Sequence, residues 1–294
     1  TQWDKWSASR INPPLIYGHE FCGFVEAVGE NCKKFQQGDY VTAEMHLPCG
    51  ECVSCLENQP HICKNLKIAG VDQNGCYADF IVLPEAQIIA LPKSIPQEVA
   101  ACLDAVGNGV HAASKVPVEG KTVLVTGCGP IGLFGIAAAK ALGAKTVLAS
   151  DVQPYRLVLA MKAGASKVYN ATESIQEAIQ RDGIQVDVVL EMSGHPSAFE
   201  SAIKILKPSG QLVMLGIPSG NVTFDIPDIL FKELTLKGVT GRMMFETWEL
   251  MLSLIESGKL DVRPVITHHF KMQEFGEAIK LLASGQSGKV ILDM

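Results

Sequence analysis

The chain has 294 residues, 47 % of them hydrophobic, with 27 glycines and a formal net charge of −6 at pH 7. That size and apolar content support a buried core divided between two domains, and the lack of a basic stripe argues against a nucleic-acid partner, whose phosphates are bound by clustered lysine and arginine. Apolar runs are broken by glycine, lysine or aspartate before the roughly 18 residues a membrane span requires, so no membrane partner is expected. Up to about residue 105 the chain carries short β-type runs at 24–28, 40–43 and 78–83, separated by glycine, proline and asparagine, an all-β signature. From Lys121 the pattern changes to strands at 122–126, 146–151, 167–169, 187–191, 211–216 and 234–238, with helices near 130–144, 154–163, 174–181 and 197–206. Such alternation predicts an α/β fold with a doubly wound parallel sheet. Helices at 245–257 and 275–284 and a strand at 289–292 are expected to return to the first domain. The expected boundaries are therefore 1–106, with a lobe at 46–66, then 107–242, then 243–294.

Three groups of residues carry chemistry. Cys49, Cys52, Cys55 and Cys63 follow a C-x2-C-x2-C-x7-C spacing around turn residues, which lets four sulfurs converge on one zinc ion. The other five cysteines are scattered singly, a pattern that suits a reducing, cytoplasmic compartment better than a disulfide framework. Gly127, Gly129 and Gly132 form G-x-G-x-x-G between a predicted strand and a predicted helix that opens with Pro130 and Ile131, and Asp151 ends the next strand. The glycines suit a tight turn, close approach of a pyrophosphate and helix-on-strand packing, and the carboxylate suits ribose hydroxyls, so NAD is expected rather than NADP. Arg156 lies near that ribose edge, while Leu215, Gly216, Ile217, Thr240 and Arg242 follow the ends of the last two parallel strands, where open sheets bind ligands. His19 and Glu20 adjoin, Asp104 is a further carboxylate and His46 precedes the cysteine cluster. An open zinc site needs about three such ligands and a vacant position.

This constellation resembles the zinc-dependent medium-chain dehydrogenases, in its Gly18-His19-Glu20 triplet, four-cysteine lobe, glycine motif with acidic partner, and SGQSGKV at 284–290. The resemblance implies a GroES-like β domain followed by a Rossmann domain. Within the family, WDKW at 3–6, DAVGNGVH at 104–111, EMSG at 191–194, MLGIP at 214–218 and GRMMFETW at 241–248 are most similar to members that oxidise L-threonine. The same resemblance implies NAD-dependent oxidation of the threonine β-hydroxyl to L-2-amino-3-ketobutyrate, with zinc as Lewis acid, in a cytoplasmic homotetramer. His19, Glu20 and Asp104 would then be ligands of the catalytic zinc, and His46 and Arg242 would orient substrate. Family members take a further thiolate ligand from a C-G-T-D motif upstream of W-D-x-W, so an N-terminally truncated member is expected. Polyol or 2,3-butanediol oxidation, or an inactive NAD-binding fragment, are the alternative readings.

Overall fold

A computed structural model describes residues 9–294; the WDKW motif at 3–6 lies outside them. The backbone divides into two units. The first holds residues up to 104 with 242–248 and Met294, and the second holds 105–241 with 249–293.

In the first unit, β1 (Gly23–Phe24), β2 (Tyr40–Ala43), β3 (His46–Leu47), α1 (Val53–Leu56), β4 (Lys67–Ile68), β5 (Ile88–Ala90) and α2 (Gln97–Ala100) follow in order. Strand β2 pairs antiparallel with β1 on one edge and β5 on the other, and its Tyr-Val-Thr-Ala run is buried along its whole length. Strands β3 and β4 pair antiparallel, Leu47 with Lys67 and His46 with Ile68, and so close the base of the cysteine lobe. The strand expected at 24–28 is confined to its first residue, and the one expected at 78–83 does not form. Phe80 and Val82 there are 71 % and 96 % exposed, and no described backbone pairs with them, so alternation alone yields no strand.

Next comes α3 (Leu103–Ser114), a helix that the sequence pattern does not reveal because Gly107 and Gly109 interrupt it. Gly109 is there for close approach: a Cβ would lie 2.7 Å from the Gly135 amide nitrogen. The second unit continues with β6 (Thr122–Thr126), α4 (Pro130–Ala141), β7 (Thr146–Asp151), α5 (Pro154–Ala163), β8 (Lys167–Asn170), α6 (Ile175–Arg181), β9 (Val186–Glu191), α7 (Pro196–Ile205), β10 (Leu206–Met214), α8 (Ile226–Phe231) and β11 (Thr235–Gly238). The six strands form one parallel sheet in the order β11-β10-β9-β6-β7-β8, with every pairing parallel. Its middle strands are apolar on both faces, Val123 to Val125 and Val188 to Leu190 being fully buried, as helix-covered parallel strands must be. Each such side chain contributes about 1.5–3 kcal/mol by leaving water. Strand β10 starts earlier than expected, at Leu206, because its pairing with β9 slips between Leu206 and Gln211.

After α9 (Glu246–Glu256) come β12 (Ile266–Lys271), α10 (Phe275–Ser284) and β13 (Lys289–Asp293), with β12 and β13 paired in parallel. Residues 249–293, expected to return to the first unit, group with the second, through the β12–β13 pair and the turn 263–265 that packs on α5. Among the described residues no helix is long and apolar enough to cross a membrane.

Candidate functional site

The cysteine lobe converges as its spacing predicts. One ligand atom each from Cys49, Cys52, Cys55 and Cys63 lies within 4.8 Å of every other. The neighbouring sulfurs are 3.5 Å apart for Cys52–Cys55, 3.7 Å for Cys52–Cys63 and 3.5 Å for Cys49–Cys63. Four thiolates 2.3 Å from one ion at tetrahedral angles stand about 3.8 Å apart, so the donor set fits zinc. Amides of Cys49 and Asn65 donate to the Cys63 sulfur at 3.4 and 3.3 Å. Backbone donation brings Cys52 down to about 6, whereas burial and its thiol neighbours push Cys55 up to about 12. Four thiols this close cannot all ionise without a cation among them. Such a site is closed, with no position left for a substrate.

In the second unit the glycine motif forms the turn between β6 and α4. Gly127 adopts φ 86°, and a Cβ on it would lie 2.7 Å from Ser193; a Cβ on Gly132 would lie 1.9 Å from the Gly127 carbonyl oxygen. Around Gly129, by contrast, a Cβ would meet nothing within 4 Å. Gly129 is the N-cap of α4, Pro130 follows, and no side chain caps the helix, whose first amides can receive an anion. Ile131 sits half-buried in that first turn. Asp151 ends β7 beside this turn, its Oδ2 accepting from the Cys128 amide at 2.7 Å and its Oδ1 from the Gln153 amide at 2.8 Å, with Arg156 Nη1 4.0 Å away. Each oxygen retains a lone pair for a further donor. Leu215 and Gly216 follow β10 and donate their amides to the Glu191 carbonyl, both at 3.0 Å, while Ile217 and, after β11, Thr240 are exposed. These residues rim the carboxyl end of the sheet.

Arg242 is placed otherwise than expected. It is 1 % exposed, within the first unit, and lies against Glu44 (0 %) and Trp248 (1 %). Its Nη2 and Nε donate to the two Glu44 oxygens at 2.6 and 2.9 Å, and its Nη1 donates to Asp104 Oδ2 at 2.6 Å and to the Asp104 carbonyl at 2.9 Å. Trp248 donates from Nε1 to Glu44 Oε2 at 2.9 Å, and its ring centroid is 5.4 Å from the guanidinium carbon. Burial alone would raise the Glu44 carboxyl, but the Arg242 charge and hydrogen bonds from His46 and Arg242 hold it well below the usual range. Arg242 is correspondingly raised by its two carboxylates against the effect of burial. A guanidinium engaged in this way supports other residues rather than presenting itself to a ligand.

His46 is the residue it supports. Its Nδ1 is 2.7 Å from Glu44 Oε1 and 3.0 Å from Arg242 Nη2, and its amide donates to the same Glu44 oxygen at 3.0 Å. Nδ1 is therefore committed inward, and the ring's chemistry rests on Nε2. Asp104, in the first turn of α3, leaves Oδ1 buried and without a hydrogen-bond partner. His19 and Glu20, both half-buried, follow Gly18, whose φ of 90° and contact with the Tyr77 ring, 2.3 Å from a would-be Cβ, fix the local path. Among the described residues the four cysteines are the one group of three or more donors within 4.8 Å of one another, so the expected metal ligands His19, Glu20 and Asp104 are not drawn that close, although Glu20 and Asp104 both lie near enough to the Cys76 thiol to raise it. Asp104 is drawn to Arg242. Glu44 escapes a reading of the sequence, and Glu191 and Trp248 appear in it only as parts of family-like motifs, without a role. A lone glutamate at or just past the end of a buried strand is the local signal of Glu44 and Glu191, and it is weak without the partner.

Comparison with known proteins agrees with this architecture. The family model described as alcohol dehydrogenase GroES-like domain matches residues 2–93, and the one described as zinc-binding dehydrogenase matches 130–257. The chain is 44 % identical over 294 residues to L-threonine 3-dehydrogenase of Shewanella frigidimarina, spanning 99 % of this chain and 86 % of that one. Among solved structures, an Escherichia coli CFT073 alcohol dehydrogenase complexed with NADH superposes with a TM-score of 0.89 at 26 % identity, covering 95 % of this chain and 83 % of that one. 2R,3R-butanediol dehydrogenase of Bacillus subtilis gives 0.87 at 25 % identity, with 98 % and 83 % covered.

Proposed function

The chain belongs to the zinc-dependent medium-chain dehydrogenase family, and from that premise we propose that it oxidises the β-hydroxyl of L-threonine to L-2-amino-3-ketobutyrate with NAD. The observation that carries this reading is the 44 % identity to an L-threonine 3-dehydrogenase along 99 % of the chain. Bound NAD supplies the hydride acceptor. Gly127 and Gly129 clear room for its pyrophosphate, the first amides of α4 offer donors to the phosphate charge, and Gly132 holds the helix against the turn. Asp151, with Arg156 beside it, takes the ribose hydroxyls through the lone pairs its backbone donors leave free. A 2′-phosphate would meet like charge at Asp151. Leu215, Gly216, Ile217 and Thr240 form the rim on the nicotinamide side.

The four cysteines would hold a structural zinc that ties β3, α1 and β4 together. His19, Glu20 and Asp104 are not within 4.8 Å of one another as a set here. His46, oriented by Glu44 with Nδ1 inward, presents Nε2 as the acceptor for a proton of the substrate. Arg242 keeps Glu44 charged and so keeps that orientation. The same reading carries a homotetramer in the cytoplasm, which sedimentation of the purified protein checks for assembly.

The test is NADH formation on L-threonine, with 2,3-butanediol and sorbitol in parallel. Turnover of threonine above both diols supports the proposal. Turnover of a diol and none of threonine selects the second reading, which the likeness to 2R,3R-butanediol dehydrogenase favours.

A further inference from the structure

Glu191 closes β9 in the middle of the parallel sheet and is 0 % exposed. In the parallel register it stands opposite Thr126, the last residue of β6. The order β11-β10-β9-β6-β7-β8 makes β9 and β6 the place where strand order reverses, outside whose carboxyl ends open sheets bind their ligands. Its Oε1 accepts from the amides of Ser193 at 2.9 Å and Gly194 at 3.2 Å, from the Ser193 hydroxyl, and from Thr126 Oγ1 at 3.4 Å. Its Oε2 accepts from the Gly194 amide at 3.3 Å and is pressed against Gly216, where a Cβ would come within 2.4 Å of it.

Every one of these partners is a donor and every one is neutral, and no ion pair among the described residues includes Glu191. The Ser193 and Gly194 amides can only donate, which favours the ionised form, while the Ser193 and Thr126 hydroxyls can donate to a carboxylate or accept from an acid. Burial raises the carboxyl, and donation by Ser193, Gly194 and Thr126 works against that rise. Burial prevails and the carboxyl is raised overall; when ionised, Glu191 is an anion with no ion-pair partner among the described residues, beneath the rim built from the glycine turn, residues 193–194 and residues 215–217. A buried charge in a low-dielectric surrounding acts over longer range than a surface one.

We propose that Glu191 is a positioning residue of the cofactor site whose buried charge favours the positively charged, oxidised nicotinamide dinucleotide over the neutral, reduced one. The proposal rests on the NAD reading above. It makes one side chain, which touches neither substrate nor solvent, a determinant of which redox form of the cofactor the protein holds.

The test is titration of the full chain with NAD+ and with NADH, comparing the two dissociation constants in wild type, Glu191→Gln and Glu191→Asp. Glutamine keeps the shape and removes the charge, so the ratio of the NAD+ constant to the NADH constant should rise roughly tenfold, within the usual range of coupling between two sites. Aspartate keeps the charge and shortens the reach, so both affinities should fall while their ratio stays within about twofold of wild type. Equal weakening of both nucleotides by Glu191→Gln, or no change in either, overturns the proposal and leaves a purely structural clamp. Should Glu191→Gln fail to fold, Glu191→Ser, which also removes the charge, takes its place: a raised ratio supports the proposal and an unchanged ratio overturns it. A wild-type chain that binds neither nucleotide sinks the NAD reading itself, an outcome separate from either of these.

Discussion

Arg242 and Glu44, 198 positions apart in the chain, meet in a two-pronged ion pair from which water is excluded, Nε to Oε2 at 2.9 Å and Nη2 to Oε1 at 2.6 Å. Removing one partner of such a pair leaves a buried charge exposed to a medium that cannot solvate it, at a cost of about 3–5 kcal/mol. Glu44→Gln leaves Arg242 with Asp104, so its cost should fall at the low end. Arg242→Met strands two carboxylates and should cost more. Urea unfolding followed by tryptophan fluorescence would rank the two variants, and the reverse ranking would show that Asp104 is not a full partner.

The same pair sets an acid limit. Because the folded Glu44 carboxyl lies below its ordinary 4.5, the stability it contributes is fully present above that pH and is lost as pH falls toward the folded value. Wild type should therefore lose stability more steeply than Glu44→Gln between about pH 5 and pH 3. Thermal melts across that window check the point, and parallel slopes for the two proteins would contradict it.

For the cysteine lobe, Cys52→Ser should lower zinc by one ion per chain and leave the chain open to proteolysis between 46 and 66. The parallel sheet, which shares no residue with the lobe, should keep its melting behaviour. Metal analysis and limited proteolysis give both readouts. Unchanged zinc would mean that the four sulfurs do not hold it.

Two alanines in one motif should act differently. At Gly132 the new methyl meets a carbonyl oxygen at 1.9 Å, so Gly132→Ala should destabilise the second unit by about 1–3 kcal/mol, the usual cost of overpacking. At Gly129 the methyl enters open space, so Gly129→Ala should melt like wild type and instead weaken NAD binding. Equal NAD affinity for Gly129→Ala and wild type would argue that the pyrophosphate does not pass there.

The parts legible in the sequence are those whose determinants are close together along it. Thr122 to Asp151 contains a whole strand, turn, helix and strand, so periodicity and three glycines suffice to place it, and the cysteines announce their lobe within fifteen positions. Helix α3 is hidden because its Gly109 answers to the backbone at Phe134 and Gly135, which no local window contains. Arg242 misleads for the same reason. Its position after β11 suggests a ligand, whereas its partners Glu44 and Asp104 lie in another part of the chain. Residues 78–83 show the converse, a strand-like pattern with no described strand to join.

The segment 242–248 belongs to the first unit, while the residues on either side of it belong to the second. On a ribosome adding about 5–20 residues per second, Glu44 is made roughly 10–40 s before the arginine that neutralises it. Through that interval the nascent first unit holds Glu44, and later Asp104 as well, with no Arg242 guanidinium to receive them, so closing around them at neutral pH is unfavourable. Its completion is thereby deferred until the intervening parallel sheet has emerged, and neither unit can be cut out of the gene as one uninterrupted stretch.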